Sequence, residues 1–349
     1  MSDAVIQIPY NNPWEDTASQ LSSTTKYVHV TLAEGSSEDM NLIRLARKIP
    51  AARSTLVGLT NSGFHAYLTR ENVTRLVRYD SIPDLWLKVK DGEYSVTEEG
   101  VVYTYTPPLA GALPKRLIVV FSSIHEDMYT TSLTRHFMQN FPTIQKYLPS
   151  DAAVLRIADL GGVAGSFYLN TTYLRDNVMA IQRLLSSVTK LHRIGHDSVV
   201  LYGVSKGGTG ALYHALRGGY RCVAVDPIVS DVYYEERYGD SHFTANGIFP
   251  STKQTVFRRL IHEVFDGTLP NAGEYSRWSV ICSDFSPQFP YISDILVSSL
   301  TDRISFFNSR HSQIKDHPDV GPRTVNTATM LMNMHLYGVP LRSGMNQID

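Results

Sequence analysis

The sequence predicts an α/β fold: a doubly wound, mostly parallel sheet with an α+β extension ahead of it. Three observations carry this reading. From residue 115 onward, short apolar runs alternate with segments of helical periodicity. One of those runs leads straight into a tight Gly-Val-Ser-Lys-Gly turn. The first hundred residues lack the alternation. At 349 residues the chain exceeds one ordinary domain of about 150, although large α/β folds absorb about 250 as one unit. The expected division is an accessory region over 1–84 and a main domain over 85–349, with a hairpin at 85–106 and a core at 115–337.

The extension is read first. Leu42, Leu45, Ala46 and Ile49 recur at helical spacing within Glu38–Ile49, and Pro50 stops that helix. Thr69 looks like the N-cap of a second helix over Arg70–Arg78. Leu85–Lys90 and Val101–Thr106 alternate like two strands, joined through Asp91-Gly92 and a Glu-Glu-Gly turn. Pro107-Pro108 and the small residues up to Ala112 mark a boundary. Beyond it, Leu117–Ser122, Ala153–Ala158, Ser198–Tyr202, Cys222–Val225, Trp278–Cys282 and Arg303–Phe307 are continuous apolar runs of strand length, suited to strands buried on both faces. The intervening helices are Thr171–Leu191, Gly207–Leu216, Lys253–Phe265, Ile292–Leu300 and Thr324–His335. No internal repeat interrupts the series.

Composition narrows the class. The apolar fraction of 43% supports a sizeable core, and 19% charged residues is too low for a disordered chain. Thirty-two basic residues against 33 acidic ones, without a basic stripe, give no reason to expect a nucleic-acid partner. No apolar run approaches the roughly 18–20 residues that span a bilayer, and no signal peptide is visible at the start. Cys222 and Cys282 fall in buried strands and read as reduced core thiols. A cytoplasmic protein is the expectation.

The sharpest chemical signal is Gly203-Val204-Ser205-Lys206-Gly207, with a strand before it and a helix after. This is the nucleophile elbow: a strained turn lifts the serine hydroxyl above the sheet, and the glycines let strand and helix approach. The helix N-terminus then aims backbone N–H groups, Lys206 first, at a developing oxyanion. A phosphate-binding loop is the competing reading of this segment, but the Gly-Lys-Ser/Thr ending it requires is missing.

A serine nucleophile needs a base and an orienting acid, in chain order Ser, Asp, His. Asp284 follows the second strand beyond the elbow and is the first choice of acid; Asp226, at the end of the first such strand, is the alternate. His317, before the final helix and in a His-x-Asp context with Asp319, is the first choice of base, with His311 the alternate. The second oxyanion donor is expected from the backbone of Ser123 or Ile124, with His125 and Glu126 lining the pocket. Asp159, on the same carboxyl edge, contacts substrate or caps the Gly161-Gly162 turn. The Lys206 side chain either attracts an anionic substrate or is simply solvated. Twelve scattered histidines without an HExxH pattern, and two distant cysteines, predict no metal, and no cofactor is expected. Tyr233, Tyr234 and Tyr238 belong to a lid, to a stacking surface or to ordinary packing.

Four segments carry a resemblance: LIVVFSS at 117–123, LRIADLGGVAGSFYLN at 155–170, LYGVSKGGTGALYHAL at 201–216 and VAVDPIVSD at 223–231. They resemble the XcbB/CpsF-type proteins of bacterial capsular polysaccharide loci. More distantly they resemble the hydrolase-like subunit of the bacterial accessory secretion system, linked to acetylation of sugars on an exported glycoprotein. The likeness covers roughly residues 85–335. It implies an α/β-hydrolase fold, Ser205 as nucleophile and a glycan or glycoconjugate acyl substrate. The leading functional reading is therefore a serine-dependent esterase or O-acyltransferase. A non-catalytic binding or assembly subunit of a polysaccharide or secretion pathway is the alternative, favoured by a serine–histidine separation beyond about 5 Å. A peptide or amide hydrolase would use the same side chains. The accessory region offers a surface for a protein partner.

Overall fold

The computed structural model describes residues 4–265 and 276–349, apart from 34, 36 and 38. Among the described residues the strands are β1 Ala4–Pro9, β2 Thr25–Thr31, β3 Phe64–Arg70, β4 Val73–Arg78, β5 Ser95–Val96, β6 Val102–Thr106, β7 Arg116–Phe121, β8 Ala152–Ile157, β9 Val199–Val204, β10 Arg221–Val225, β11 Trp278–Cys282, β12 Ile304–Ser309 and β13 Gly344–Ile348. β5 to β13 form one sheet in the order β13-β12-β11-β10-β9-β7-β8-β6-β5. Every neighbour pair from β13 to β8 is parallel, and β6 and β5 extend the sheet antiparallel.

The apolar runs become central strands because both faces of the sheet are covered. In β7, Leu117, Val119 and Phe121 enter one core with the helices Asn177–His192, Lys206–Gly218 and Lys253–Phe265. Ile118 and Val120 enter the other, against the helix Val325–Leu336. The architecture is the doubly wound α/β-hydrolase type. β7 lies between β8 and β9, so the chain leaves it first to one side and then to the other. A crevice opens at this reversal, outside the carboxyl ends of β7 and β9. The expected strands and helices of the main sheet are all present, shifted by a few residues. The longest shift is at 171–176, where Asn170 Oδ1 accepts from Val178 N at 2.9 Å and the helix begins only at Asn177. β13, a largely exposed edge strand, was not expected. Cys222 and Cys282 are free and buried.

The extension corrects several expectations. Arg70–Arg78 is no helix: β3 and β4 form an antiparallel hairpin, turned by Glu71 and Asn72 at φ 54° and 57°. Two consecutive left-handed residues make the tight turn that suits strand twist. Thr69 pairs across it with Thr74, Oγ1 to Oγ1 at 3.0 Å, instead of capping a helix. Leu85–Lys90 is no strand but parts of two helical turns, Ile82–Leu85 and Leu87–Lys90. The helix expected over Glu38–Ile49 covers only Leu42–Ala46, capped by Asn41, and is preceded by an unexpected one, Trp14–Gln20; Glu38 lies outside the described residues. Pro50 opens the next helix, Pro50–Asn61, at a position where its missing N–H is harmless. The small sheet, ordered β1-β2-β4-β3, shares a core with Val163, Phe243 and Ile248 of the later chain. Among the described residues no helix is long and apolar enough to cross a membrane.

Candidate active site

Ser205 sits at the tip of β9 with φ 56° and ψ −121°, a strained conformation held by its N–H bond to Val225 O at 2.9 Å. The two glycines of the motif are sterically required. A Cβ on Gly203 would lie 2.1 Å from the carbonyl oxygen of Gly207, and one on Gly207 would lie 2.3 Å from that of Phe121. The helix Lys206–Gly218 starts at the next residue, so the Lys206 N–H has no intrahelical acceptor and faces the crevice end of the helix.

His317 is the first residue of the helix His317–Arg323. Asp316 caps that helix, its Oδ1 accepting from His317 N at 2.7 Å, and Asp319 Oδ2 accepts from the N–H groups of Lys315 and Asp316. The loop thus fixes the ring. Its Nε2 lies 2.7 Å from Ser205 Oγ and its Nδ1 lies 2.6 Å from Asp226 Oδ2. With the proton on Nδ1, His317 donates to Asp226 and accepts from the serine hydroxyl.

The carboxylate on His317 is therefore that of Asp226, not Asp284. Asp226 follows β10 at φ 42°, which turns its fully buried side chain along the carboxyl edge; Ser286 Oγ also donates to its Oδ2, at 2.5 Å. Asp284 is drawn away by Arg310, 3.2 Å distant, and its N–H is held by Asn308 Oδ1 at 2.9 Å. His311 accepts from Gln313 N and has no bond to the serine. The sequence signal for Asp226 was its place at the strand end in VAVDPI, which chain order alone could not rank above Asp284.

Two further expectations change. The Lys206 side chain is neither solvated nor in the pocket: its Nζ is fully buried, 3.0 Å from Asp159 Oδ2 and 3.3 Å from Ala164 O. Asp159, also buried, contacts no substrate space. It accepts from Ser166 N, Ser166 Oγ, Phe167 N and Tyr168 N and so organises the loop after β8. The Ser123 N–H is engaged by Asn140 Oδ1 at 2.8 Å, which leaves Ile124 as the expected second oxyanion donor of that loop.

The serine opens into a cavity of about 530 Å³. Ile124, Met128, Met138 and Val204 make it apolar. Tyr233, Tyr234 and Tyr238 form an aromatic wall whose rings contact one another and His242. His125 lines it as expected, its Nδ1 accepting from Asp127 N at 3.0 Å. The extension braces two walls of this cavity, a role the sequence did not reveal. Arg44 pairs with Asp127 at 2.7 Å, Asn41 Nδ2 donates to Tyr129 O, and Arg53 pairs with Asp240 at 3.0 Å beside His242.

No model of a known protein family matches the sequence, and no curated protein matches it. Solved structures do. The chain is similar to a chain of the Glycosylation Associate Protein (Gap123) complex from Streptococcus agalactiae, at 14% identity and TM-score 0.50, over 78% of this chain and 52% of that one. It thus spans about half of that chain. It is also similar to FphF, a fluorophosphonate-binding serine hydrolase of Staphylococcus aureus, at 16% identity and TM-score 0.45, over 68% of this chain and 96% of that one. The capsule O-acetyltransferase of Neisseria meningitidis serogroup A matches at 13% identity and TM-score 0.49, over 70% and 94%. At these identities the likeness is one of fold.

Proposed function

We propose that the protein is a serine-dependent acyl-transfer enzyme, an esterase or O-acyltransferase, working through Ser205, His317 and Asp226. The observation that carries this is the unbroken hydrogen-bond chain Ser205 Oγ–His317–Asp226, at 2.7 and 2.6 Å, opening into a pocket. The same 2.7 Å separation speaks against a binding subunit that has lost its chemistry. In the forward step Ser205 Oγ attacks the ester carbonyl while its proton passes to His317 Nε2. Asp226 holds the imidazole in the right tautomer and supports its positive charge. The oxyanion meets the N–H of Lys206 and, on this reading, that of Ile124. Collapse returns the proton to the departing alcohol and leaves an acyl-serine. Water then gives hydrolysis, or a second hydroxyl gives transfer. The sequence resemblance to capsule-locus proteins supports a glycan or glycoconjugate as acyl carrier.

The test is labelling by a fluorophosphonate probe. Wild type should label; Ser205→Ala and His317→Ala should not; His311→Ala and Asp284→Asn should label like wild type. A folded wild type that does not label would refute the reading.

A further inference from the structure

The charge in the pocket is one-sided. Its charged lining residues are Glu126, from the loop after β7, and Asp316, the cap of the His317 helix; both are solvent-exposed, and among the described residues no lysine or arginine lines it. The one cation next to the nucleophile in sequence, Lys206, is withdrawn beneath the elbow and neutralised by Asp159. The triad adds the buried carboxylate of Asp226 behind His317. Cations whose fields reach the lining stand behind it. Arg47 lies 4.0 Å from the centre of the Tyr129 ring and helps, after burial, to lower the pKa of His242; Arg237 acts on Tyr233 from its own helix. The field of Asp316 adds to the burial that pushes the phenols of Tyr233 and Tyr234 upward.

A carboxylate or phosphate entering this space would leave water, meet an apolar floor, face two carboxylates and find no cation. An uncharged group meets instead the Tyr233–Tyr238 wall, whose rings stand edge to face at 5.8 Å and whose Tyr238 is 39% exposed. We propose that the pocket selects esters that carry no negative charge on the portion it encloses, and rejects their carboxylate- or phosphate-bearing counterparts. This inference rests on the acyl-transfer reading above.

The test uses aryl acetates that differ only in a para substituent: 4-acetoxybenzamide, 4-acetoxybenzoate and (4-acetoxybenzyl)trimethylammonium. Each kcat/KM is divided by the same ester's reactivity with imidazole in solution. The uncharged ester should exceed the anionic one by at least about tenfold, and the cationic ester should not fall below the uncharged one. The gap should shrink at about 1 M salt, where the screening length falls to about 3 Å. Glu126→Lys should raise the anionic ester selectively. Equal or faster turnover of the anionic ester, lost in Ser205→Ala, would overturn the charge selection and leave the acyl-transfer reading standing. Where the serine labels but no ester turns over, competition of the three esters against the probe gives the same comparison. A folded protein with neither turnover nor labelling would overturn the underlying reading and this inference with it.

Discussion

Removing either partner of the buried Asp159–Lys206 pair should not have equal consequences. The carboxylate accepts from five donors: the Lys206 ammonium, the N–H groups of Ser166, Phe167 and Tyr168, and the Ser166 hydroxyl. The ammonium has two acceptors, Asp159 Oδ2 at 3.0 Å and Ala164 O at 3.3 Å. Lys206→Met thus leaves a carboxylate with four donors still in place, a loss of about 1–3 kcal/mol. Asp159→Asn leaves a fully buried ammonium with one distant carbonyl, and gives the loop an NH₂ group among donors. Breaking a buried pair this way costs about 3–5 kcal/mol. Urea unfolding followed by tryptophan fluorescence, with Trp278 fully buried as reporter, measures both. Asp159→Asn should be the more destabilising by about 2 kcal/mol, and the double variant should be more stable than the sum of the two losses implies. The reasoning would be refuted if Lys206→Met lost as much as Asp159→Asn, because the ammonium would then be a stabilising partner in its own right and not a charge tolerated for its neighbour's sake.

Other outcomes follow from the same structure. Asp226→Asn should lower kcat/KM for an activated ester by about 10⁴-fold, as loss of the orienting acid does elsewhere, whereas Asp284→Asn should stay within about threefold of wild type. Gly203→Ala and Gly207→Ala each drive a Cβ into a backbone carbonyl that cannot rotate away; both should lower Tm or prevent folding, while Gly195→Ala, at φ −64° with no neighbour nearer than 4.0 Å, should keep labelling intact. Burial lowers the pKa of His65 and His335 to about 3 and of His214 to about 4. These rings stay neutral in the folded state while the unfolded chain takes up protons near pH 6.5. Their contribution is therefore intact above about pH 6.5 and lost as pH falls toward 4, by on the order of 2 kcal/mol per histidine at pH 5. The urea midpoint should drop between pH 7 and pH 5, and a midpoint that rises would contradict this.

Legibility in the sequence followed burial. Strands buried on both faces show as unbroken apolar runs, so the main sheet could be read from β7 to β12, and the elbow could be read because its glycines answer a steric demand that nothing else meets. β13 was invisible because it is a largely exposed edge strand, Gly-Met-Asn-Gln-Ile, with no continuous apolar run. The β3–β4 hairpin passed for a helix because its alternation is broken by Val77 beside Leu76, both buried, and because Glu71-Asn72 is not the most familiar turn pair. Lys206 reads as solvated or as a lure for an anionic substrate because its partner lies 47 positions earlier, and no local pattern announces a long-range ion pair. The acid was the hardest choice: Asp226 and Asp284 both end strands on the same edge, and only a backbone angle at one and an arginine beside the other separate them.

The parallel sheet also sets when chemistry can begin. Ser205 and His317 are 112 residues apart and His317 and Asp226 are 91 apart, each delivered by the end of a different parallel strand or the loop beyond it. Ser205 and Asp226 are joined by a single helical crossover between paired strands, but no local event in folding brings His317 to either of them. A growing chain that has completed β9, its helix and β10 already holds the strained serine and its acid but has no base for them. Reactivity toward an ester is in this sense a timer: on refolding it should return only after the far edge has docked, later than the helical signal that its first crossovers produce.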